Sequence, residues 1–104
     1  MNQKLKDYHV DFLFDAILQL QSKEECAKFF EDLCTIQELK AMSQRLHVAK
    51  MLSEKRIYSD IVQQTGASTA TISRVNRSLQ YGMDGYDVVF SRLDEAAKNK
   101  GNDE

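Results

Sequence analysis

A chain of 104 residues with no proline and only four glycines lacks the turn residues that a β-sandwich or barrel needs at each reversal, which argues for a helical chain. The expected fold class is all-α. Apolar residues make up 42% of the sequence, enough to fill a core and far from the composition of a disordered chain. Its length suits one domain, expected over residues 1–97, followed by a polar disordered tail over 98–104.

Apolar spacing and start signals divide the chain into six segments. Leu5, Tyr8, Phe12, Leu13, Ala16, Ile17 and Leu20 recur at three- and four-residue intervals, one stripe of an amphipathic helix over 5–20. Ser22-Lys23-Glu24-Glu25 reads as a capping box, with the glutamate reaching back to the cap amide, and opens a second helix to about Asp32. Thr35-Ile36-Gln37-Glu38 is a second box, opening a helix whose Leu39, Met42, Leu46, Ala49 and Leu52 form the inward stripe. After a polar turn at 53–56, a short helix spans 58–65 and ends at Gly66. Ser68 caps the next, over 69–79, and Asp84 is a cap candidate for a final helix over 86–97.

A first helix this long and apolar has few partners inside so small a chain, so part of its stripe is expected to pack on a second copy. The chain is expected to be a homodimer. Cys26 and Cys34 form no close pair, and Lys4, Lys6, Asp7, Asp11 and Asp15 break up any leader-like apolar run, so a cytoplasmic protein with reduced thiols and no membrane role is expected. Cys26, Phe29, Phe30 and Leu33 read as a core stripe. His9, His47, Cys26 and Cys34 lack the spacings of a structural zinc site, and no nucleophile with an adjacent base can be assembled. Neither a metal nor an enzyme activity is expected.

Charge is strongly segregated. From Lys40 to Gln80 seven cations (Lys40, Arg45, Lys50, Lys55, Arg56, Arg74, Arg77) face two anions (Glu54, Asp60), leaving +5 within a chain of formal charge −2, so the remainder carries −7. One surface could therefore meet a polyanion while the rest keeps the chain soluble.

That basic stretch contains the pattern of a helix-turn-helix over 58–79. Ile61, Val62 and Thr65 of its first helix are expected to face inward, Gly66 to supply the tight turn, and Ala67 to fit the angle between helices. Ile72, Val75 and Leu79 anchor the second helix from behind. This leaves Ala70, Ser73, Arg74 and Arg77 on the opposite face, with Thr69 at its leading edge. Small residues at a helix N-terminus permit close approach to base edges, and arginines suit phosphates or guanine. Double-stranded DNA is the partner this face implies.

The run Gly66-Ala67-Ser68-Thr69-Ala70-Thr71-Ile72-Ser73-Arg74, followed by Asn76-Arg77-Ser78-Leu79, resembles the Gly-Ala-Gly-Ile-Ala-Thr-Ile-Thr-Arg and Ser-Asn-Ser-Leu of the Trp repressors. The resemblance covers residues 32–93 and is closest to the Trp-repressor-like YerC/YecD group. It implies six helices per chain, an intertwined homodimer and two heads reading half-sites of a palindromic operator. Carried over, Thr69, Ala70 and Thr71 match positions that approach base edges, while Ser73 and Gln80 match positions facing the DNA backbone. The family's corepressor pocket matches Cys34, Thr35, Arg45, Arg74 and Ser78; in the repressors the two arginines sandwich an indole ring. Val75 stands where the repressors have glycine, and its side chain would enter that space, which argues against tryptophan or another amino acid as effector.

The expectation is thus a sequence-specific transcriptional regulator, acting as a repressor, with Ser68, Thr69, Ala70, Thr71, Ser73, Arg74, Arg77 and Gln80 at the DNA. The rival is a helical dimeric protein-interaction module that does not bind DNA.

Overall fold

The computed structural model describes residues 7–102. Six helices follow in order: α1 (Tyr8–Ile17), α2 (Lys23–Leu33), α3 (Ile36–Ser53), α4 (Tyr58–Thr65), α5 (Thr69–Tyr81) and α6 (Gly85–Asn102), with no strand among the described residues. The expected all-α class and helix order are observed. The chain divides into two compact units, Met1–Lys40 and Ala41–Glu104, with the boundary inside α3.

In the first unit, helix starts are set by side chains. Asp7 accepts the His9 amide at 2.7 Å, and Ser22 Oγ accepts the Glu25 amide at 3.1 Å. Glu25 completes its box one residue further out than expected, accepting from the amide of Gln21 at 2.8 Å. Thr35 and Glu38 form a reciprocal pair: Thr35 Oγ1 takes the Glu38 amide at 3.0 Å, and Glu38 Oε1 takes the Thr35 amide at 2.9 Å. α1 is shorter than predicted, ending at Ile17 where the 5–20 stripe continues to Leu20. Leu5 lies outside the described residues.

Among the described residues of this unit, none is buried. The stripe of α1 leaves Tyr8 and Phe12 at the surface, with Leu13, Ala16 and Ile17 half-buried. The expected core stripe of α2 is likewise only half-covered, and its Leu33 is 51% exposed. Some forty residues have too little interior to cover their own apolar faces.

The second unit has a core. Val48, Ala49 and Met51 of α3, Ile61 of α4, Ala67 of the turn, Ile72 and Val75 of α5 and Phe90 of α6 are buried together, with Leu52, Leu79 and Tyr86 packed against them. Fully buried isoleucines such as Ile61 and Ile72 each contribute about 1.5–3 kcal/mol. The face α3 turns to this core matches the predicted stripe only in part: Ala49 and Leu52 join it beside Val48 and Met51, whereas Leu39, Met42 and Leu46 stay exposed. One residue of offset rotates a helix face by about 100°. Lys50 also ties α3 to α6, with its Nζ 5.1 Å from the Phe90 ring centre and 3.6 Å from Asp94.

The turn after α3 closes in a Schellman arrangement. Lys55 adopts the left-handed conformation (φ 64°), its amide donating to Leu52 and that of Arg56 to Met51, which satisfies two terminal carbonyls. The expected cap at Asp84 takes a different form: its φ of 62° is left-handed rather than extended, and its carbonyl accepts from Val88. α6 then runs past Ala97 to Asn102, so residues 98–102 of the expected disordered tail are helical. Alanines and lysines favour that continuation, and Lys100 lies in the last turn, where a cation complements the helix dipole. Residues 103 and 104 lie outside the described span. No helix among the described residues is long and apolar enough to cross a membrane.

Candidate nucleic-acid interface

α4 and α5 meet across three residues, and each has a separate task. Gly66 ends α4 at φ 71°, a conformation that L side chains rarely adopt, while its amide donates to the Val62 carbonyl at 2.8 Å. Ala67 is buried between the helices, where its single methyl fits. Ser68 opens α5: its Oγ accepts the Thr71 amide at 3.1 Å and donates to Thr71 Oγ1 at 3.0 Å. Thr65 stiffens the turn, its hydroxyl donating to the Ile61 carbonyl at 2.7 Å and accepting the Ala67 amide at 3.1 Å.

The faces of α5 fall where the hydrophobic spacing predicts. Ile72 and Val75 are buried and Leu79 is packed on the core. Ser68, Thr69, Ala70, Ser73, Arg74, Arg77 and Gln80 are all exposed, and Thr71 is half-buried with its oxygen engaged by Ser68. Neither Arg74 nor Arg77 has a carboxylate within ion-pair distance among the described residues. The exposed strip is therefore hydroxyl-rich at its start, with two cations further along. The amides at the start of α5 add the positive end of the helix dipole, apart from the Thr71 amide used by the cap.

α4 contributes less than predicted. Ile61 is buried and Thr65 half-buried, but Val62 is exposed at the edge of the face. Ile57 precedes the helix without a side-chain cap, and Arg56 is drawn to Asp60 at 2.6 Å. That hydrogen bond and the adjacent charge raise the arginine's already high pKa, so Arg56 stays cationic but is partly neutralised as a phosphate contact. The four-residue spacing of opposite charges marks this pair in the sequence.

The residues matched to an effector pocket are divided between the two units. Cys34, the C-cap of α2, and Thr35, engaged in the α3 capping box, belong to the first unit. Arg45 and Arg74 are exposed in the second, and Val75, 3% exposed, is part of its apolar core. Ser78 lines an open cavity of about 300 Å³ with Gly82, Met83, Gly85 and Tyr86. Neither arginine nor Val75 lines it. Gly82 is required at its rim, since a Cβ there would overlap the Ser78 carbonyl. No group of three or more His, Cys, Asp or Glu residues is placed to hold a metal among the described residues.

Comparison with known proteins places this geometry. The family described as Trp repressor protein matches residues 8–94. The chain is 52% identical over 92 residues to the uncharacterized protein YerC of Bacillus subtilis (strain 168), covering 88% of each. A solved TrpR-like protein from Eubacterium eligens ATCC 27750 superposes with a TM-score of 0.86 at 63% identity, over 88% of this chain and 95% of that one. A solved structure from Staphylococcus aureus gives the same TM-score at 52% identity, over 90% and 96%.

Proposed function

The chain belongs to the Trp repressor family, and from that premise we propose that it is a sequence-specific DNA-binding regulator of transcription, a cytoplasmic homodimer that occupies a palindromic operator and excludes polymerase. The observation that carries the proposal is the two-sided α5: anchored by Ile72 and Val75, it leaves Thr69, Ala70, Ser73, Arg74 and Arg77 open to a partner. In this role Thr69 and Ala70 approach base edges, with Thr71 beside them. Ser68, Ser73, Arg74, Arg77 and Gln80 meet the phosphate backbone, which positions the helix without reading sequence. A second copy supplies the other half-site and covers the apolar faces of the first unit.

The head acts without an amino-acid corepressor. Val75 is locked into the same core as Ile61 and Ile72, so its side chain helps hold α5 in one orientation. Cys34, Thr35, Arg45, Arg74 and Ser78 then serve structure and DNA contact.

A salt titration tests the assignment. Affinity for duplex DNA should fall steeply as salt rises, and Arg77→Ala should flatten the log–log slope by about one unit. No measurable DNA affinity at low salt would instead favour the interaction module, which the exposed apolar side chains of the first unit would then serve.

A further inference from the structure

Gln44 is a half-buried polar residue of α3 with no task in the function proposed above. Its Nε2 donates to the backbone carbonyl of Thr65 at 3.1 Å. Thr65 is the last residue of α4, so its carbonyl is one of those a helix end leaves without an intrahelical donor. The other side-chain hydrogen bonds among the described residues join positions four or fewer apart, whereas this one spans 21. It is the one polar tie among them between α3 and the α4–α5 pair.

Such a tie does what apolar packing does poorly. Burial is non-directional and leaves a helix pair some freedom to tilt, while a hydrogen bond has a preferred length and angle. From Thr65 the restraint passes along the turn, since the same residue holds the Ile61 carbonyl and the Ala67 amide through its hydroxyl. Ser68 follows and caps α5. Only three residues separate the carbonyl gripped by Gln44 from Thr69.

We infer that Gln44 is a positioning residue for base reading: through Thr65 and the buried Ala67 it sets the angle at which α5 leaves the turn, and so the reach of Thr69 and Ala70 toward base edges. The inference rests on the DNA-binding function proposed above. Contacts to base edges are short hydrogen bonds that fail over tenths of an ångström, whereas attraction to phosphates falls slowly with distance. Losing Gln44 therefore lowers specific affinity and spares non-specific affinity.

The test compares the full chain with Gln44→Met, which keeps the length and removes the donor, and with Thr65→Val, which removes the hydroxyl. Each is titrated on a duplex selected by the unaltered protein from a random pool and on a scrambled duplex. Both variants should lose about tenfold on the selected duplex, the equivalent of one net hydrogen bond. On the scrambled duplex their affinity should stay within about twofold. The Gly66 and Ala67 amide resonances should shift in Gln44→Met while helical content is retained. Unchanged selectivity, or an equal loss on both duplexes in step with lost helicity, overturns the inference. Failure of the functional proposal appears separately: the unaltered protein would then bind neither duplex, and unshifted Gly66 and Ala67 resonances in Gln44→Met would refute the clamp without DNA.

Discussion

The two units are made of similar helices but specified by different means. In the first, Asp7, Ser22 and Thr35 each cap a helix start, yet no described residue is buried. In the second, α4 begins at Ile57 without a side-chain cap and Ser68 caps α5, yet eight apolar side chains share one core. Capping decides where a helix begins and stabilises each by about 1 kcal/mol; burial decides whether helices stay together. A region rich in the former and poor in the latter is the part of the chain that the proposed dimer would stabilise.

The largest effects should separate the units. Ile72→Ala empties a fully buried site and should cost about 2–5 kcal/mol, measured by urea unfolding. Phe12→Asp removes no core contact, because Phe12 is 62% exposed in the chain. On the homodimer proposed above, it should instead abolish self-association, sedimenting as a monomer at concentrations where the unaltered chain is expected to sediment as a dimer. A Phe12→Asp protein of unchanged mass would break the comparison.

The same division governs what the sequence could reveal. α4 is observed at its predicted bounds and α5 starts where predicted, because Gly66, Ser68 and the spacing of Ile72, Val75 and Leu79 are local signals. The capping boxes were equally legible. The buried face of α3 was not: Leu39, Met42 and Leu46 share a stripe with Ala49 and Leu52, and only tertiary packing shows that the first three lie outside the core of the second unit. Val62 was assigned inward by the same periodicity and lies at the edge. Gln44 carried no local signal, since its partner is 21 residues away. The extension of α6 to Asn102 runs through a polar segment with no apolar stripe to announce it, although 98–100 contains two lysines, which are good helix formers.

A smaller effect of opposite sign should come from the turn behind α3. Lys55 holds a left-handed conformation (φ 64°) that costs a side-chain-bearing residue about 1 kcal/mol or more, part of which glycine returns through its freer unfolded chain. Lys55→Gly should therefore stabilise the second unit by about 0.5–1 kcal/mol, raising the thermal midpoint by a few degrees. No gain would mean that this turn is strained by something other than its own backbone.

The smallest effect returns to the first unit and to acid. The Glu38 carboxylate accepts the Thr35 amide, and chiefly for that reason its pKa lies below the ordinary glutamate value; the side-chain contact with Thr35 adds to the shift. A carboxyl whose folded pKa is depressed contributes stability above its unfolded pKa. That contribution is lost as pH falls from the unfolded value through the folded one. Because Glu38 is open to solvent, the effect should be modest and weakened by salt. Glu38→Gln keeps an oxygen that can accept the Thr35 amide, since glutamine also serves at this capping position, but it cannot titrate. Near neutrality the variant should thus be slightly less helical than the unaltered chain, because it lacks the stabilising charge, and as pH falls through the folded glutamate pKa the two should converge. Circular dichroism from pH 7 downward reads the difference; parallel acid transitions would show that the α3 cap does not depend on the charge of Glu38.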